Sequence, residues 1–390
     1  MNAFWLCLMI LCLAAVAHSY FLYPLWWMAW RGRLPVVAFQ ESSNDRLPSV
    51  TVIIAAYNEA EFIHQRVKNL LELDYPSELL QIIIASDGSD DGTELIAKEA
   101  AKGDCRVSVL GFTERRGKVS VLNDVCEKAE AEILIFSDAN VDFAPDALRH
   151  LVKPFMNSDV ACVCGKLCFR SRPGQAHAES EGFYWKMETW LKEMEGSRGV
   201  LLGANGAIYA LRRSLWRECP KDTVVEDFYI PMRLLMEKWR VLFEPKAIAL
   251  EDLPPALKDE FGRRVRIGAG DYQALWRCLP LLHPRFGLAA WVFLSHKVLR
   301  WIGPFFLLGA FVSSIVLSFH GSFIGTTLLL LQSAFYAAAS VGLLMPVGRG
   351  KVFKWVGLCT HFTSMNAALF LGFFRWLRRG QSTAWQRTRR

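Results

Sequence analysis

Apolar residues fall into two regimes along the chain. Residues 3–30 carry no charged side chain, and 301–319, 323–347 and 355–374 are again almost wholly apolar. A helix of about 20 such residues crosses a bilayer. The stretch between them is patterned differently. Residues 50–56 form a short β-branched run suited to a strand buried on both faces. Phe62, Ile63, Val67, Leu70 and Leu71 then recur at helical spacing over 59–73. Residues 80–85 repeat the strand signal, and Asp91 stands as an N-cap before a helix over 94–102. A third strand at 106–110, a helix at 117–129 and a fourth strand at 133–136 follow. This alternation predicts an α/β domain, a parallel sheet covered on both faces, with ligands at the carboxyl ends of its strands.

The first apolar run has two readings. Ala15-Val16-Ala17 resembles a signal-peptidase site, but no positive charge precedes the run, which continues past that site to Trp30. A membrane helix over 1–30 is therefore expected. Arg31 and Arg33 follow it, so the charge rule puts the next domain in the cytoplasm. A linker over 31–48, a cytoplasmic α/β domain over 49–255 and surface-lying amphipathic helices over 256–300 are expected next. Residues 285–300 mix Leu288, Trp291, Val292 and Phe293 with His296, Lys297 and Arg300, as a helix at the membrane surface or packed on a core would. Residues 301–347 hold two spans. A full crossing by 355–376 would leave the arginine-rich tail at 377–390 outside, against the charge rule, so that run is expected to be interfacial or re-entrant.

Composition refines this picture. The net charge is +7, but its cations (Arg31, Arg33, Arg349, Lys351, Lys354 and the arginines of the tail) flank apolar runs. Membrane orientation accounts for the charge, and no nucleic-acid partner is expected. Cys162, Cys164 and Cys168 lack zinc-site spacing and read as small buried side chains.

Polar clusters end three of the strands: Tyr57-Asn58-Glu59, 86–92 (SDGSDDG) and 137–140 (SDAN). Turn chemistry explains any one of them, but three on one edge suggest a site. The glycine patterns of dinucleotide-binding and P-loop enzymes are missing. With 51–59 (TVIIAAYNE), 86–93 (SDGSDDGT), 117–123 (GKVSVLN), 136–140 (FSDAN), 203–213 (GANGAIYALRR) and 224–234 (VVEDFYIPMRL), the chain resembles the membrane-integrated branch of glycosyltransferase family 2. That branch includes cellulose, chitin, hyaluronan and poly-N-acetylglucosamine synthases.

The resemblance implies a GT-A fold, a nucleoside diphosphate sugar donor, usually a UDP-sugar, and inverting transfer to a glycan or lipid-linked acceptor in polysaccharide biosynthesis; with the membrane layout it implies a bacterial inner-membrane protein. It implies that Asn58, Glu59 and Asp87 line the nucleoside pocket and that Lys118 lies near the base or diphosphate. Asp138 and Asn140 would hold Mg²⁺ or Mn²⁺, Asp227 would be the base with Glu226 beside it, and Arg266 would grip the diphosphate. Gly203, Asn205, Tyr184, Trp185 and Ile267 would lie on the acceptor side. Plainer roles exist for some of these: Asp227 as a helix cap, Glu59 as a first-turn acid, Lys118 as an exposed helix residue.

Three positions depart from the family pattern. Asn140 replaces an acid, with Asp142 nearby as a substitute; Val225 replaces threonine. The stretch 263–267 (RRVRI) keeps only the arginine of the synthases' Gln-x-x-Arg-Trp. Isoleucine offers no stacking face for a sugar, so single addition to a polyprenyl-linked acceptor competes with chain building. A non-catalytic nucleotide-sugar sensor is the reading from another class. A partner subunit or homo-oligomer would supply the channel wall that a processive enzyme needs.

Overall fold

Every residue of Val50–Ala56 is buried, as an apolar run without alternation requires of a central strand. The computed structural model describes residues 2–37, 46–170, 178–252, 257–344 and 351–378, without the side chains of 178–184, 257–260 and 351–354. The linker's 38–45, the basic stretch at 349–354 and the tail from 379 onward thus lie outside the description, wholly or in their side chains.

The chain opens with α1 (Asn2–Trp30), a helix carrying one π turn at His18–Leu22. The α/β half follows as β1 (Val50–Ala56), α2 (Ala60–Leu71), β2 (Leu80–Asp87), α3 (Thr93–Ala101), β3 (Val107–Phe112) and α4 (Lys118–Lys128). It continues with β4 (Ile133–Ser137), β5 (Val141–Phe143), α5 (Ala147–Val152), β6 (Val160–Arg170), α6 (Ala178–Gly196), β7 (Tyr209–Arg212), α7 (Glu226–Met236) and β8 (Arg240–Asp252). The strands form one sheet in the order β3-β2-β1-β4-β7-β6-β8-β5.

The alternating strands and helices stand where the pattern puts them, but the sheet is mixed rather than parallel throughout. Strands β1 to β4 are parallel, β7 runs antiparallel to both β4 and β6, and β5 antiparallel to β8. The cap of α3 also differs from expectation. Gly92 is the N-cap, with φ +89°, a left-handed conformation that glycine adopts without strain. Asp91 acts from one residue earlier, accepting the N–H of Thr93 at 3.0 Å and of Ala60 at 3.1 Å. One carboxylate thereby braces the first turns of α3 and α2.

The remainder is helical: α8 (Leu257–Cys278), α9 (Leu288–Trp301), α10 (Gly303–Phe319), α11 (Phe323–Leu344) and α12 (Lys351–Leu377). Among the described residues three helices are long and apolar enough to cross a membrane, or up to four if the bent pair α9–α10 is one span. Leu330 and Leu331 on α11 are exposed, as lipid-facing side chains are. Residues 285–300, expected as a surface helix or a core-packed one, turn inward: Val292, Phe293, Ser295 and His296 are buried. Cys162 and Cys164 are likewise buried, whereas Cys7 and Cys105 are exposed.

The two halves share a core. Tyr23 and Trp27 of α1 are buried in the same apolar cluster as Leu191 of α6, Phe293 of α9 and Cys162 of β6. Polar groups pin this junction. His296 Nδ1 lies 2.5 Å from Glu195, which also accepts from the Tyr23 hydroxyl at 2.7 Å. His296 Nε2 lies 2.7 Å from Glu188, and Arg300 donates to both Glu188 oxygens at 2.9 and 3.0 Å. Burial would raise the Glu188 carboxyl, but Arg300, Lys297 and His296 hold it well below the usual carboxylate range.

Helix α12 meets the rest at one end of the bundle. Its first turns pack on the last turns of α11, with Thr360 Oγ1 donating to Ala339 O at 3.1 Å. Its later turns meet the start of α10, where Phe305 lies 5.4 Å from Phe370, and then α8, where Tyr272 stacks on Trp376 at 6.2 Å.

Removing one partner of a buried charged cluster leaves the others uncompensated and costs about 3–5 kcal/mol. Glu188→Ala is therefore expected to lower the melting temperature of the purified protein sharply. Glu188→Gln, which keeps an acceptor for Arg300, should fall between it and the parent in the same melting measurement.

Candidate active site

The site forms where β4 ends. Because β7 runs antiparallel to β4, the loop before β7 lies beside the residues that leave β4. Ser137 Oγ donates to the Ala207 carbonyl at 2.8 Å and fixes that adjacency. Asp138 follows directly. Behind it Arg66 of α2 is buried, donating to Ser137 Oγ at 2.8 Å and lying 4.2 Å from the centre of the Phe143 ring. Burial lowers the Arg66 guanidinium to about 9, against the pull of Asp142 and Asp138.

Lys118 opens α4 and is placed by Asp87. Both oxygens of Asp87, fully buried, accept backbone N–H groups at 2.8 Å, one from Arg116 and one from Gly117. The turn held in this way presents the Lys118 ammonium 3.0 Å from Asp138 and 2.8 Å from Glu226. Burial by itself would depress this amine. Asp138, Glu226 and Asp227 together outweigh burial and raise it, so the lysine stays charged. Lys118 is a paired cation of the site, not an exposed helix residue.

Glu226 and Asp227 form the first turn of α7, whose N-cap is Val225. Asp227 does not cap the helix: its Oδ2 accepts the Gly206 N–H at 3.0 Å, and its carbonyl accepts the Ala204 N–H at 2.8 Å. Burial, and then the charge of Glu226, push the Asp227 carboxyl up to about 6, with Lys118 opposing. It remains ionised at neutral pH yet binds a proton more readily than an ordinary aspartate. Gly206 lies among these groups. A Cβ there would fall 3.2 Å from Asp227 Oδ2 and 3.7 Å from both Asp138 Oδ2 and Lys118 Nζ.

The other expected residues have varied surroundings. Asn58, at φ +54°, is locked to the second loop, its amide donating to Asp90 at 2.7 Å and its oxygen accepting the Asp90 N–H at 3.1 Å. Glu59 is the N-cap residue of α2, and its N–H donates to Thr93 Oγ1 at 2.8 Å. Gly203, at φ +79°, lets its loop close on α7, since a Cβ would meet Phe228 at 2.4 Å. Asn205 lines a pocket with Lys166, Trp185, Glu188 and Lys192. Trp185 also packs on Phe169, ring centres 5.0 Å apart. The Tyr184 side chain lies outside the described residues. Arg266 and Ile267 stand half-buried on α8, and Arg266 feels the charges of Glu226 and Asp227.

Asp142 pairs with Arg170 at 2.6 Å, so it is already engaged. The Asn140 amide nitrogen donates to Glu251 at 2.9 Å, and its carbonyl oxygen is by chemistry an acceptor. Among the described residues no group of three or more His, Cys, Asp or Glu forms a ready-made metal cage. A partly exposed Asp138 with one carbonyl oxygen fits the other mode of binding, in which a cation takes one or two protein oxygens and completes its shell with phosphates and water.

Several contributing residues escaped the sequence reading. Arg66 and Gly206 are two; Asp271 of α8 is a third. Burial pushes the Asp271 carboxyl up to about 7, with Asp227 adding to the shift and Lys297 opposing it. Helical periodicity gives no sign of a lone acid on such a face.

Gly206→Ala would press a methyl group on Asp227 Oδ2 at 3.2 Å and place it in van der Waals contact with Asp138 and Lys118. Turnover should fall about tenfold to a hundredfold while the melting temperature changes little, measured side by side on the same preparations. For Asp271 the folded carboxyl binds its proton more tightly than the unfolded one, so ionising it opposes folding, and stability drops as pH rises from about 4 to about 7. Asp271→Asn should thus raise the melting temperature at pH 8 and leave it unchanged near pH 4.

Comparison with known proteins gives the arrangement a context. Residues 51–217 match the model of glycosyl transferase family 2. Over 242 residues the chain is 27% identical to the beta-monoglucosyldiacylglycerol synthase of a Nostoc species, covering 60% of this chain and 51% of that protein. It is 23% identical over 241 residues to the poly-beta-1,6-N-acetyl-D-glucosamine synthase of Staphylococcus epidermidis, covering 61% and 58%. The chain thus spans between half and three-fifths of the length of these relatives. In structure it resembles a mannosyltransferase of Pyrobaculum calidifontis solved with GDP-Man and Mn²⁺, at a TM-score of 0.73 and 22% identity, over 96% of this chain and all of that one. The fold is a mixed α/β domain of the GT-A type joined to apolar helices, and within it residues 51–217 match the model of glycosyl transferase family 2.

Proposed function

We propose that this protein transfers a sugar from a nucleoside diphosphate sugar, a UDP-sugar as the first choice, to an acceptor held at the membrane surface, with inversion at the anomeric carbon. The observation that carries the proposal is the convergence of Asp138, Lys118, Glu226 and Asp227 at the end of β4, beside α8 and the apolar helices. A binding-only sensor would not need a carboxylate of raised proton affinity at that point.

Asp227 is the proposed base. It takes the proton of the acceptor hydroxyl as that oxygen bonds to the anomeric carbon, a contribution of about 10²–10⁴-fold. The Gly206 N–H orients its carboxylate, and Lys118 keeps the neighbouring acids from repelling one another. On the opposite side of the anomeric carbon the bond to the diphosphate breaks, and the nucleoside diphosphate leaves with the electron pair. Lys118 and Arg266 meet its charge. A divalent cation, Mg²⁺ or Mn²⁺, held by Asp138 and the Asn140 carbonyl oxygen would neutralise the leaving diphosphate. Asn58, Glu59 and Asp87 brace the loops that would border the nucleoside.

A lipid-linked acceptor is favoured over a growing chain threaded through the protein. Ile267 offers no aromatic face to a sugar, and the apolar helices are few. The similarity to a polysaccharide synthase supports chain extension as the second reading. The packing of α12 at the catalytic end of the bundle supports an interfacial course for 355–376, with the catalytic domain and C-terminus in the cytoplasm and Arg31 and Arg33 facing the same side.

Purified protein in lipid nanodiscs, given Mn²⁺ and a panel of UDP- and GDP-sugars with extracted lipids, should release nucleoside diphosphate from one donor. Asp227→Asn should abolish that release while still binding the nucleotide. Release that persists unchanged in this variant would refute the assignment of the base.

A further inference from the structure

The C-terminal helix reaches the site through a close crossing with α8. A Cβ on Gly372 would fall 2.8 Å from Ala269 N and 3.0 Å from Val265 O, and one on Gly268 would fall 3.3 Å from the Leu369 Cα. The two helices thus touch backbone to backbone, and the Tyr272–Trp376 stack continues the contact one turn further. Arg375 follows Gly372 by three residues and so lies on the side of α12 turned to α8. On α8, Gly270 packs against Val225, where a Cβ would meet its Cγ1 at 2.9 Å. Arg266, one turn earlier on that face, is directed toward the Glu226–Asp227 turn.

Burial disfavours the Arg266 charge, Arg263 and Arg375 lie near enough to oppose it as well, and Glu226 and Asp227 favour it. Arg266 and Arg375 are both half-buried, and neither makes a hydrogen bond or ion pair among the described residues. Two like charges held together without a partner repel, and a phosphoryl group that accepts from both forks relieves that repulsion. We propose that Arg375 of α12 joins Arg266 of α8 in one phosphoryl-binding site, whose ligand is the diphosphate of the sugar nucleotide. The inference rests on the transferase reading above and extends it: the membrane-associated C-terminal helix takes part in donor binding. A lipid phosphate headgroup has the same chemistry and is the competing source.

Calorimetric titration of the full chain in phosphatidylcholine nanodiscs with Mn²⁺ tests this, using UDP, GDP, inorganic pyrophosphate and the two nucleosides as probes. Arg375→Gln is expected to weaken the diphosphates about tenfold to a hundredfold and leave nucleoside binding unchanged. Arg375→Lys should recover part of the loss. Arg378→Gln, at an exposed position three residues on, should have no effect, which separates a specific contact from general surface charge. An unchanged melting temperature establishes that the variants are folded; if Arg375→Gln is not folded, the Arg375→Lys titration alone decides. Diphosphate affinity within twofold of the parent in a folded variant overturns the inference. So does a variant whose only defect is a weaker response to phosphatidylglycerol in the disc, which would assign the site to lipid headgroups. A parent protein that binds none of the probes overturns the transferase reading itself.

Discussion

Three carboxylates share one ammonium in this protein, and the arrangement of the site follows from that constraint. Asp138, Glu226 and Asp227 come from a strand end and a helix start nearly ninety residues apart, and like charges brought together in this way repel. Lys118 bridges the first two directly and opposes the upward shift of the third. Its own position depends on Asp87, which spends both oxygens on the turn that begins α4. A residue expected to touch the nucleotide therefore also builds the floor beneath the charge cluster.

Strand β7 makes the convergence possible. A wholly parallel sheet would return the chain to the far edge before the next strand, and no loop would arrive beside Asp138. The reversal of β7 puts Asn205 and Gly206 at that edge, and Gly206 then supplies the N–H that fixes Asp227. The lack of a side chain at 206 complements its amide, because a Cβ there would press on Asp227 Oδ2 at 3.2 Å.

The repeating half of the sheet was legible because fully buried parallel strands leave unbroken apolar runs and covering helices leave a stripe. Asp138, Asp227 and Lys118 were legible because each sits within a contiguous motif. The antiparallel half was not, since β7 is a four-residue strand whose pairing depends on partners far along the chain. Asp91 was placed correctly as a helix-start acid but one position from where it acts, because a left-handed glycine intervenes. The junction of Glu188, Glu195 and His296 left no local trace. Its histidine lies 101 and 108 residues from the two glutamates, and in sequence all three look like ordinary helix-surface charges.

Helix α8 links this charge cluster to the apolar helices. Its small residues turn two ways: Gly268 and Ala269 let α12 approach, while Gly270 lets the Val224–Val225 segment approach on another face. One turn further on, Tyr272 donates to the Trp301 carbonyl where α9 meets α10. The height of Asp227 above the apolar helices is thus set by backbone contacts that side-chain motion cannot relax. An acceptor anchored in the bilayer would present its hydroxyl at a fixed height, and the anchor itself would supply much of the positional restriction that a stacking aromatic provides for a soluble sugar chain. On this view Ile267 follows from the kind of acceptor: a site that receives its nucleophile already held at the right depth has less need of an aromatic face to catch it.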